Sequence, residues 1–460
     1  MAANVAYVAG WLYVPLSKVT DLRALKRTLT VTPKGFRDYE PPAPIPCFNE
    51  DRKGYIGVPI DWGMNHFPED MEIADRLSEG SPATFPKRPD PTHPSAPAGQ
   101  AEFMDLLEQQ MRENLTVLAE SGTGTGKTVT ALEVSARLGR TTLVQVHLTR
   151  LLKQWIEQGQ DKLGLSRDQI GVVQGARCDW RGKPLVIAMM PTLARRRYEP
   201  AFYNAFGTVW QDEVHKVGSG LLSECLGQFN AKYKGALTAT VKRADGAERV
   251  YLHYYGPVRA KSTQKAAPLT VYPIDYKRNR PAYTKGSRAV WIRQLVADKR
   301  RNRMLCFYLH RMYMQGRSVL GVSESIDHLD AIADMLIEQF NVPRNQIGFH
   351  THSHNDPDTG KRVKTTDEYF DWVKATPRIV LGTYGTLTEG VDIQRLSGGM
   401  DLLPRAKSKQ LFGRVRRVLE GKPEAVWYTP VDLDFRPFVN AYHARMRDVA
   451  DDKLVRIGKL

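Results

Sequence analysis

Cysteine is scarce in this chain of 460 residues, which contains only Cys47, Cys178, Cys225 and Cys306, all widely separated. None of the spacings is the C-x-x-C of zinc ribbons or thiol oxidoreductases, so neither a zinc ribbon nor a disulfide framework is indicated. We therefore expect buried or inert thiols in a reducing compartment.

Long hydrophobic runs are also lacking. Apolar stretches such as PLVIAMM at 184–190 fall far short of the ~18 residues that suggest a membrane span. The N-terminal stretch MAANVAYVAGWLYVPL has neither a basic start nor a clear cleavage site, so it does not resemble a signal peptide. We expect a protein of a bacterial-type cytoplasm, or of the host cytoplasm if a phage encodes it.

Negative charge is the minority in this sequence. The chain has 66 Lys and Arg against 50 Asp and Glu, which gives a net charge of +16 and a pI near 9.5. Such an excess favours a polyanionic partner, most simply nucleic acid. The alternative is a surplus of basic residues that only aids solubility.

Proline is concentrated in the stretch SPATFPKRPDPTHPSAPAG at 81–99, a composition typical of a semi-rigid linker. It separates residues 1–80, expected to be a small N-terminal accessory domain with DNA binding as one role, from the rest. Short apolar strands then alternate with helical patterns, which favours an α/β fold with parallel sheets flanked by helices. A polar connecting segment at 256–285 divides this alternation into two domains, 100–255 and 286–460.

The glycine-rich stretch SGTGTGKT at 121–128 follows a strand candidate and precedes a helix candidate that Gly139 is expected to end. This context favours a nucleotide-binding loop over a simple Gly/Thr-rich turn, although Ser121 stands where the usual pattern has glycine. Lys127 is expected to reach the β- and γ-phosphates and Thr128 to hold Mg²⁺. The residues expected to surround the nucleotide are Gly122, Thr123, Gly124, Thr125, Gly126, Lys127 and Thr128.

An acidic pair ends the apolar strand candidate in TVWQDEVHKVG at 208–218. Because two adjacent carboxylates there call for a cation, Asp212 is expected to hold Mg²⁺ and Glu213 to polarise the attacking water. His215 is expected to report nucleotide state to its neighbours, with a purely structural contact as the alternative.

Together these two motifs resemble those of superfamily 2 helicases and translocases, whose two RecA-like lobes clamp ATP. The resemblance covers about residues 100–430. It implies two tandem RecA-like P-loop domains, ATP and Mg²⁺ as cofactors, and a nucleic-acid partner. Further stretches match the family's motifs in order. They imply contacts to the nucleic acid by Thr149, Arg150, Thr192 and Thr383, and contacts to the nucleotide by Gln100, Asp392 and Gln410. They also imply that His215, Thr238 and Thr240 couple the ATP site to the nucleic-acid site.

The stretch QLFGRVRR at 410–417 resembles the last motif of that family. On one helix, Gln410, Gly413, Arg414 and Arg417 would share a face. The resemblance implies that Arg414 and Arg417 are arginine fingers, catalytic together with Lys127 and Glu213. A solvated basic face is the alternative interpretation of the arginines.

Two stretches, LTATVKRADG at 237–246 and YGTLTEGVDI at 384–393, are similar to XPB-like helicases and phage UvsW-type recombination helicases. This resemblance implies ATP-driven unwinding or branch migration of forked, branched or partly single-stranded DNA in replication, recombination or repair. Two alternatives stay open: an RNA helicase or remodeller, and a nucleotide-switched DNA-binding scaffold that does not separate strands.

Three further stretches receive simpler interpretations. HTHSHND at 350–356 is expected to be a solvated loop and not a metal site, because no cysteine or second set of ligands accompanies it. KRRNR at 299–303 and KRVK at 361–364 are expected to be solvated basic patches or contacts to a nucleic-acid backbone.

Overall fold

The structure is a computed structural model, and it divides into two compact units, Met1–Gln264 and Lys265–Leu460. The residues it describes are 5–35, 42–90, 99–122, 125–218, 220–243, 245–263, 267–279, 282–356, 359–388, 393–405, 409–419, 421–450 and 452–459.

The N-terminal part of the first unit is a small mixed sheet with two helices. Its elements are β1 (Ala6–Val8), β2 (Leu12–Pro15), α1 (Leu22–Thr28), β3 (Thr30–Val31), β4 (Ile45–Pro46), β5 (Tyr55–Val58), α2 (Ile60–His66) and β6 (Ile73–Asp75). The sheet has the order β5-β2-β1-β6. Because side chains alternate along a strand, Leu12 and Val14 share its inner face, and they lie in the same hydrophobic cluster as Phe202 and Phe206. The N-terminal part therefore shares a core with the α/β part that follows.

An eight-stranded sheet forms the remainder of the first unit. Its elements are α3 (Gln100–Glu113), β7 (Val117–Glu120), α4 (Lys127–Leu138), β8 (Thr142–Val146), α5 (Thr149–Leu163), β9 (Ile170–Gln174), β10 (Arg177–Asp179), β11 (Leu185–Met189), α6 (Met190–Arg195), α7 (Pro200–Tyr203), β12 (Thr208–Gln211), α8 (Gly220–Ser223), β13 (Tyr233–Thr238), α9 (Glu248–Tyr255) and β14 (Val258–Lys261). The order is β10-β9-β11-β8-β12-β13-β7-β14, and only β10 is antiparallel to its neighbour. The predicted parallel α/β arrangement is confirmed.

Glycines set both ends of α4, the helix that follows the glycine-rich loop. Gly126 precedes it with φ of 79° and Gly139 follows it with φ of 64°. Both angles lie in the left-handed region that glycine tolerates best. The predicted stop at Gly139 is confirmed.

The proline-rich stretch runs along the first unit where it is described. The backbone N–H of Ala83 donates to the Gly139 carbonyl at 3.0 Å, and that of Lys87 donates to the Leu163 carbonyl at 3.0 Å. These bonds fasten the stretch to the ends of α4 and α5.

A seven-stranded sheet forms the second unit. Its elements are β15 (Leu269–Tyr276), α10 (Arg288–Val296), α11 (Lys299–Met314), β16 (Ser318–Ser323), α12 (Ile326–Phe340), β17 (Ile347–His350), β18 (Ser353–Asn355), β19 (Arg362–Lys364), α13 (Asp367–Ala375), β20 (Ile379–Thr383), α14 (Tyr384–Thr388), β21 (Leu396–Asp401), α15 (Lys409–Val415), β22 (Ala425–Asp432), α16 (Arg436–Asp448) and β23 (Val455–Ile457). The order β17-β20-β16-β21-β22-β15-β23 is parallel throughout, while β18 and β19 pair separately as a hairpin. The stretch 256–285 contains β14 and β15, so it supplies a strand to each sheet.

The expectation of a solvated loop at HTHSHND is wrong. His354 is only 5% exposed and stacks on the Tyr369 ring at 3.9 Å between centroids. Its Nδ1 lies 3.1 Å from Thr365 Oγ1. The β18–β19 hairpin therefore packs against α13, and no group of three metal-ligating side chains occurs in the described part of the chain.

The basic stretch KRRNR is likewise not a uniformly solvated patch. Arg301 is fully buried, and its Nε donates to Asp432 Oδ1 at 2.6 Å. The amphipathic helix α11 turns this side chain toward the sheet, where a paired carboxylate offsets the cost of burying its charge. Across the described ranges, none of the helices is long and apolar enough to span a bilayer.

Candidate nucleotide site and nucleic-acid face

The phosphate loop and the acidic pair lie at one edge of the first unit's large sheet. The loop follows β7, the acidic pair follows β12, and β13 lies between these two strands. The backbone N–H of Ser121 donates to the Thr238 carbonyl at the end of β13, at 2.9 Å. The carboxyl ends of parallel strands are where α/β sheets bind ligands, so this edge is the candidate site.

Ser121 fills the loop position where the usual pattern has glycine. Its side chain is buried, with Oγ 2.5 Å from Thr125 Oγ1, and Thr125 Oγ1 in turn donates to the Gly122 carbonyl at 2.6 Å. The serine hydroxyl thus lies within the loop and closes it from inside. Thr123 and Gly124 lie outside the described residues.

Lys127, the first residue of α4, lies between the loop and the acidic pair. Its Nζ donates to the carbonyls of Ser121 at 3.4 Å and Gly122 at 3.3 Å, and it lies 3.7 Å from Glu213 Oε1. The ammonium group is therefore held at the mouth of the loop by weak contacts that a phosphate could replace. Thr128 follows in the first turn of the same helix and is partly buried.

Asp212 is a buried carboxylate held by two donors. The indole Nε1–H of Trp155 donates to Oδ2 at 2.9 Å, and the backbone N–H of Glu213 donates to Oδ1 at 2.9 Å. Burial, followed by the adjacent Glu213 charge, raises the pKa of Asp212 to about 6. The group is therefore mostly ionised at neutral pH and binds a cation better as pH rises through that value.

Glu213 has an unusual backbone conformation. Its φ of 50° places a non-glycine residue in the left-handed region, which only Asn341 shares with it among the described non-glycine residues. That conformation costs roughly 1–2 kcal/mol. Strain of this kind is concentrated at functional sites.

The three predicted coupling residues are linked in series, with Thr238 in contact with both His215 and Thr240. His215 Nδ1 lies 3.3 Å from Glu213 Oε2 and 3.1 Å from Thr238 Oγ1. Thr238 Oγ1 accepts from the backbone N–H of Thr240 at 3.1 Å. Burial lowers the pKa of His215 to about 4, so its imidazole is neutral at physiological pH.

Gln100 begins α3 and touches the phosphate loop. Its side chain is 4% exposed, and a Cβ placed on Gly126 would lie 2.4 Å from Gln100 Nε2. Glycine at position 126 therefore permits this approach as well as the positive φ.

Three of the four predicted nucleic-acid residues gather at the same sheet edge, beyond β8. Gln174 Nε2 donates to Thr149 Oγ1 at 3.0 Å, and the N–H of Gly175 donates to Thr192 Oγ1 at 3.1 Å. Arg150 follows Thr149 in the first turn of α5. Thr149 and Thr192 thus contact two consecutive residues, the last residue of β9 and the glycine that follows it.

The predicted residues of the second unit occupy the ends of β20 and α15. Thr383 ends β20, with Oγ1 2.9 Å from Thr386 Oγ1. Gln410 and Arg414 lie on α15, but this helix ends at Val415, so the prediction that Arg417 shares its face is wrong. Asp392 lies outside the described residues.

Arg416, between the two predicted fingers, has a different environment. Its Nε donates to the Ala267 carbonyl at 2.7 Å and its Nη1 donates to Asp452 Oδ2 at 2.5 Å. These two contacts lie directly after the end of the helix at Val415. Sequence reasoning missed both this residue and Trp155, whose indole in a helical pattern reads simply as core.

Comparisons with known proteins find several relatives that are named as helicases. The family model "Type III restriction enzyme, res subunit" matches residues 95–243. The chain is 25% identical over 430 residues to "Putative ATP-dependent RNA helicase L396" of Acanthamoeba polyphaga mimivirus, which covers 90% of this chain and 79% of that protein. It is also 25% identical to "DNA 3′-5′ helicase XPB" of Kineococcus radiotolerans, over 71% of this chain and 58% of that protein.

These similarities, together with the motifs in the sequence, support a superfamily 2 helicase. A solved structure of S. cerevisiae Dbp5 bound to RNA and ADP BeF3 matches 79% of this chain and 90% of that one, with 12% identity and a TM-score of 0.54. That match supports the predicted pair of RecA-like folds. The helicase family implies ATP hydrolysis with a divalent metal ion. The chain spans little more than half the length of the XPB relative, 58%.

Proposed function

We propose that this helicase remodels forked or branched DNA, by unwinding or branch migration driven by ATP. The observation that carries the proposal concerns one edge of the first unit's large sheet. Lys127 and the acidic pair lie at this edge, and so do Thr149 and Thr192 at the end of β9. Nucleotide and strand contacts on one edge can be coupled by small shifts of the connecting loops. The choice of DNA is supported by the similarity to XPB and by the LTATVKRADG stretch at 237–246.

The residues around the loop fit ATP with Mg²⁺. Thr128 and Asp212 offer the hard oxygen donors that Mg²⁺ prefers, and they are assigned as its protein ligands. When bound, the ion neutralises charge on the phosphates. Lys127 binds phosphate, Gly122, Thr123, Gly124, Thr125 and Gly126 surround it, and Glu213 accepts a proton from the attacking water.

The remaining assignments follow from the family resemblance. Arg414 and Arg417 are assigned as arginine fingers, and Gln100, Asp392 and Gln410 as nucleotide contacts. Thr149, Arg150, Thr192 and Thr383 are assigned as contacts to the phosphate backbone, and His215, Thr238 and Thr240 as the link between the two sites. Contacts to phosphates carry little sequence information, so binding is expected to be salt-dependent and largely independent of sequence.

Trp155→Phe is expected to weaken Mg²⁺-dependent nucleotide binding. The change removes the indole donor that orients Asp212 and keeps an aromatic ring in the core. Loss of a group that orients a metal ligand typically costs about 10- to 100-fold in metal affinity. The measurement is the Mg²⁺ concentration that half-saturates binding of a fluorescent ATP analogue, and we expect it to rise about tenfold.

Trp210→Phe is the matched control for this change. Trp210 is also fully buried, and its Nε1 donates to Ser135 Oγ at 2.8 Å, so the same donor is lost without touching a carboxylate. An equal rise in the Mg²⁺ requirement of both variants would attribute the effect to core loosening and contradict the role of Trp155.

A strand-displacement panel tests the proposed substrate. Forked, four-way, 3′-tailed and 5′-tailed DNA and RNA hybrids are each incubated with and without ATP, and we expect ATP-dependent displacement of forked or four-way DNA to be fastest. The second candidate, an RNA helicase, is favoured by the similarity to the mimivirus protein, which is named as a putative RNA helicase. Faster displacement of RNA hybrids would support it, and tight binding without displacement would support a scaffold.

A further inference from the structure

A backbone hydrogen bond connects the N-terminal segment to the loop after β13. The N–H of Lys34, shortly after β3, donates to the Asp245 carbonyl at 2.8 Å. Asp245 lies in the RADG stretch between β13 and α9. The N-terminal segment therefore contacts a loop that continues directly from the coupling residues Thr238 and Thr240.

Within that loop, Asp245 forms a bidentate ion pair with Arg243. Arg243 Nε donates to Oδ1 at 2.9 Å and Nη2 donates to Oδ2 at 2.6 Å. Both side chains are largely buried, with 23% and 18% of their surface exposed. A fork-to-fork arrangement fixes the orientation of both groups and is stronger than a single neutral hydrogen bond.

The third nitrogen of Arg243 contacts the turn that follows Glu213, the candidate catalytic residue. Nη1 donates to the His215 carbonyl. A Cβ placed on Gly218 would lie 2.9 Å from Arg243 Nε, so the guanidinium also packs directly on this turn. Arg243 is thus held by Asp245 on one side and holds the 215–218 backbone on the other.

The backbone at 215–218 contributes to the position of Glu213. The imidazole of His215 lies 3.3 Å from Glu213 Oε2, and the N–H of Lys216 donates to the Glu213 carbonyl at 2.9 Å. Glu213 itself has the strained φ of 50°. Such a conformation persists only when surrounding contacts hold it, and Arg243 supplies one of them.

We propose that Arg243 is a positioning residue through which the N-terminal segment, by way of Lys34 and Asp245, controls the rate of ATP hydrolysis at Glu213. The inference rests on the proposed role of Glu213 but not on the choice of DNA or RNA. In this arrangement, displacing the N-terminal segment loosens the turn and slows hydrolysis without reducing nucleotide affinity.

The first experiment compares Arg243→Gln with a matched ion-pair variant, Arg259→Gln, in the full chain. Arg259 pairs with Asp61 of α2 at similar burial, so its loss removes an ion pair of the first unit but leaves the contacts among Lys34, Asp245 and Arg243 intact. We expect Arg243→Gln to lower kcat about 10- to 100-fold, the cost of displacing a catalytic group by about 1 Å, with an unchanged dissociation constant for a fluorescent ATP analogue. Arg259→Gln is expected to leave kcat unchanged, and Asp245→Asn is expected to add little to Arg243→Gln because both break one unit.

The second experiment tests the link to the N-terminal segment. Lys34→Pro removes the backbone N–H donor. Lys34→Ala removes the side chain but keeps that donor. We expect Lys34→Pro, but not Lys34→Ala, to lower kcat and to speed hydrogen exchange of the amides at 214–217. Hydrogen exchange is measured without ATP turnover. It therefore tests the contact between the N-terminal segment and the 215–218 backbone independently of the proposed function.

Three results would overturn the inference. They are unchanged kcat and exchange in Arg243→Gln, equal losses of kcat in Arg259→Gln, and identical behaviour of the two Lys34 variants. A wild-type protein that hydrolyses no ATP with any polymer would instead contradict the proposed function, and the exchange measurements would still decide whether the contacts hold the turn.

Discussion

Glu213→Gln is expected to abolish most ATP turnover while leaving nucleotide binding nearly intact. The amide keeps the shape of the side chain but cannot take a proton from the attacking water, and a positioned acid–base group contributes about 10²–10⁴ in rate. Lys127, 3.7 Å from the carboxylate, remains in place to bind phosphate. Steady-state hydrolysis and the affinity for a fluorescent ATP analogue, measured on the same preparation, separate the two effects.

Glu120→Gln provides the control at the same sheet edge. Glu120 ends β7, immediately before the phosphate loop, and pairs with Lys261 at 2.9 Å. The same loss of a carboxylate there is expected to leave turnover close to that of the wild type. Near-normal hydrolysis in Glu213→Gln would remove the proposed role of Glu213.

Local signals allowed the nucleotide site to be predicted from the sequence. The loop at 121–128 and the acidic pair at 212–213 each depend on residues that are close along the chain and follow a strand. Their meeting also follows from the parallel sheet, since the carboxyl ends of its strands share one edge. The role of Ser121 could not be predicted, because its bond to Thr125 depends on the closed form of the loop.

Long-range contacts account for what the sequence did not reveal. Lys34, His215 and Arg243 are far apart along the chain, so only packing brings them into one hydrogen-bonded series. Arg301 looked like part of a solvated basic stretch because its partner, Asp432, follows more than a hundred residues later. Charge runs indicate a surface only when no distant partner buries one of their members.

The end of α15 illustrates the same difficulty. From Gln410 onward, glycine appears only at 413 before Gly421, so the pattern predicts a helix that continues through Arg417. The structure ends this helix at Val415, where Arg416 turns to Ala267 and Asp452. Tertiary contacts of one side chain thus accompany the end of this helix, against its local helical preference.

Arg414→Ala and Arg417→Ala are each expected to reduce nucleic-acid-stimulated ATP turnover by about three orders of magnitude or more, the usual contribution of an arginine finger. Nucleotide affinity is expected to change much less, because a finger acts mainly on charge that develops in the transition state. Burial lowers the pKa of Arg417 to about 10, so its guanidinium still carries the positive charge at physiological pH. The measurement is hydrolysis with saturating DNA against hydrolysis without it.

Variants of two other arginines of the second unit serve as controls. One shows the effect of lost thermal stability on turnover, and the other shows the effect of a lost positive charge. Arg416→Ala is expected to lower the temperature of thermal unfolding, because Asp452 and the Ala267 carbonyl lose a donor in a partly buried place. Arg436→Ala removes an exposed arginine at the start of α16 and is expected to leave stimulated turnover unchanged. If Arg414→Ala and Arg417→Ala both retained normal stimulated turnover, neither residue could be a finger. If instead both variants lost turnover together with thermal stability, as expected for Arg416→Ala, the arginines would act through folding alone.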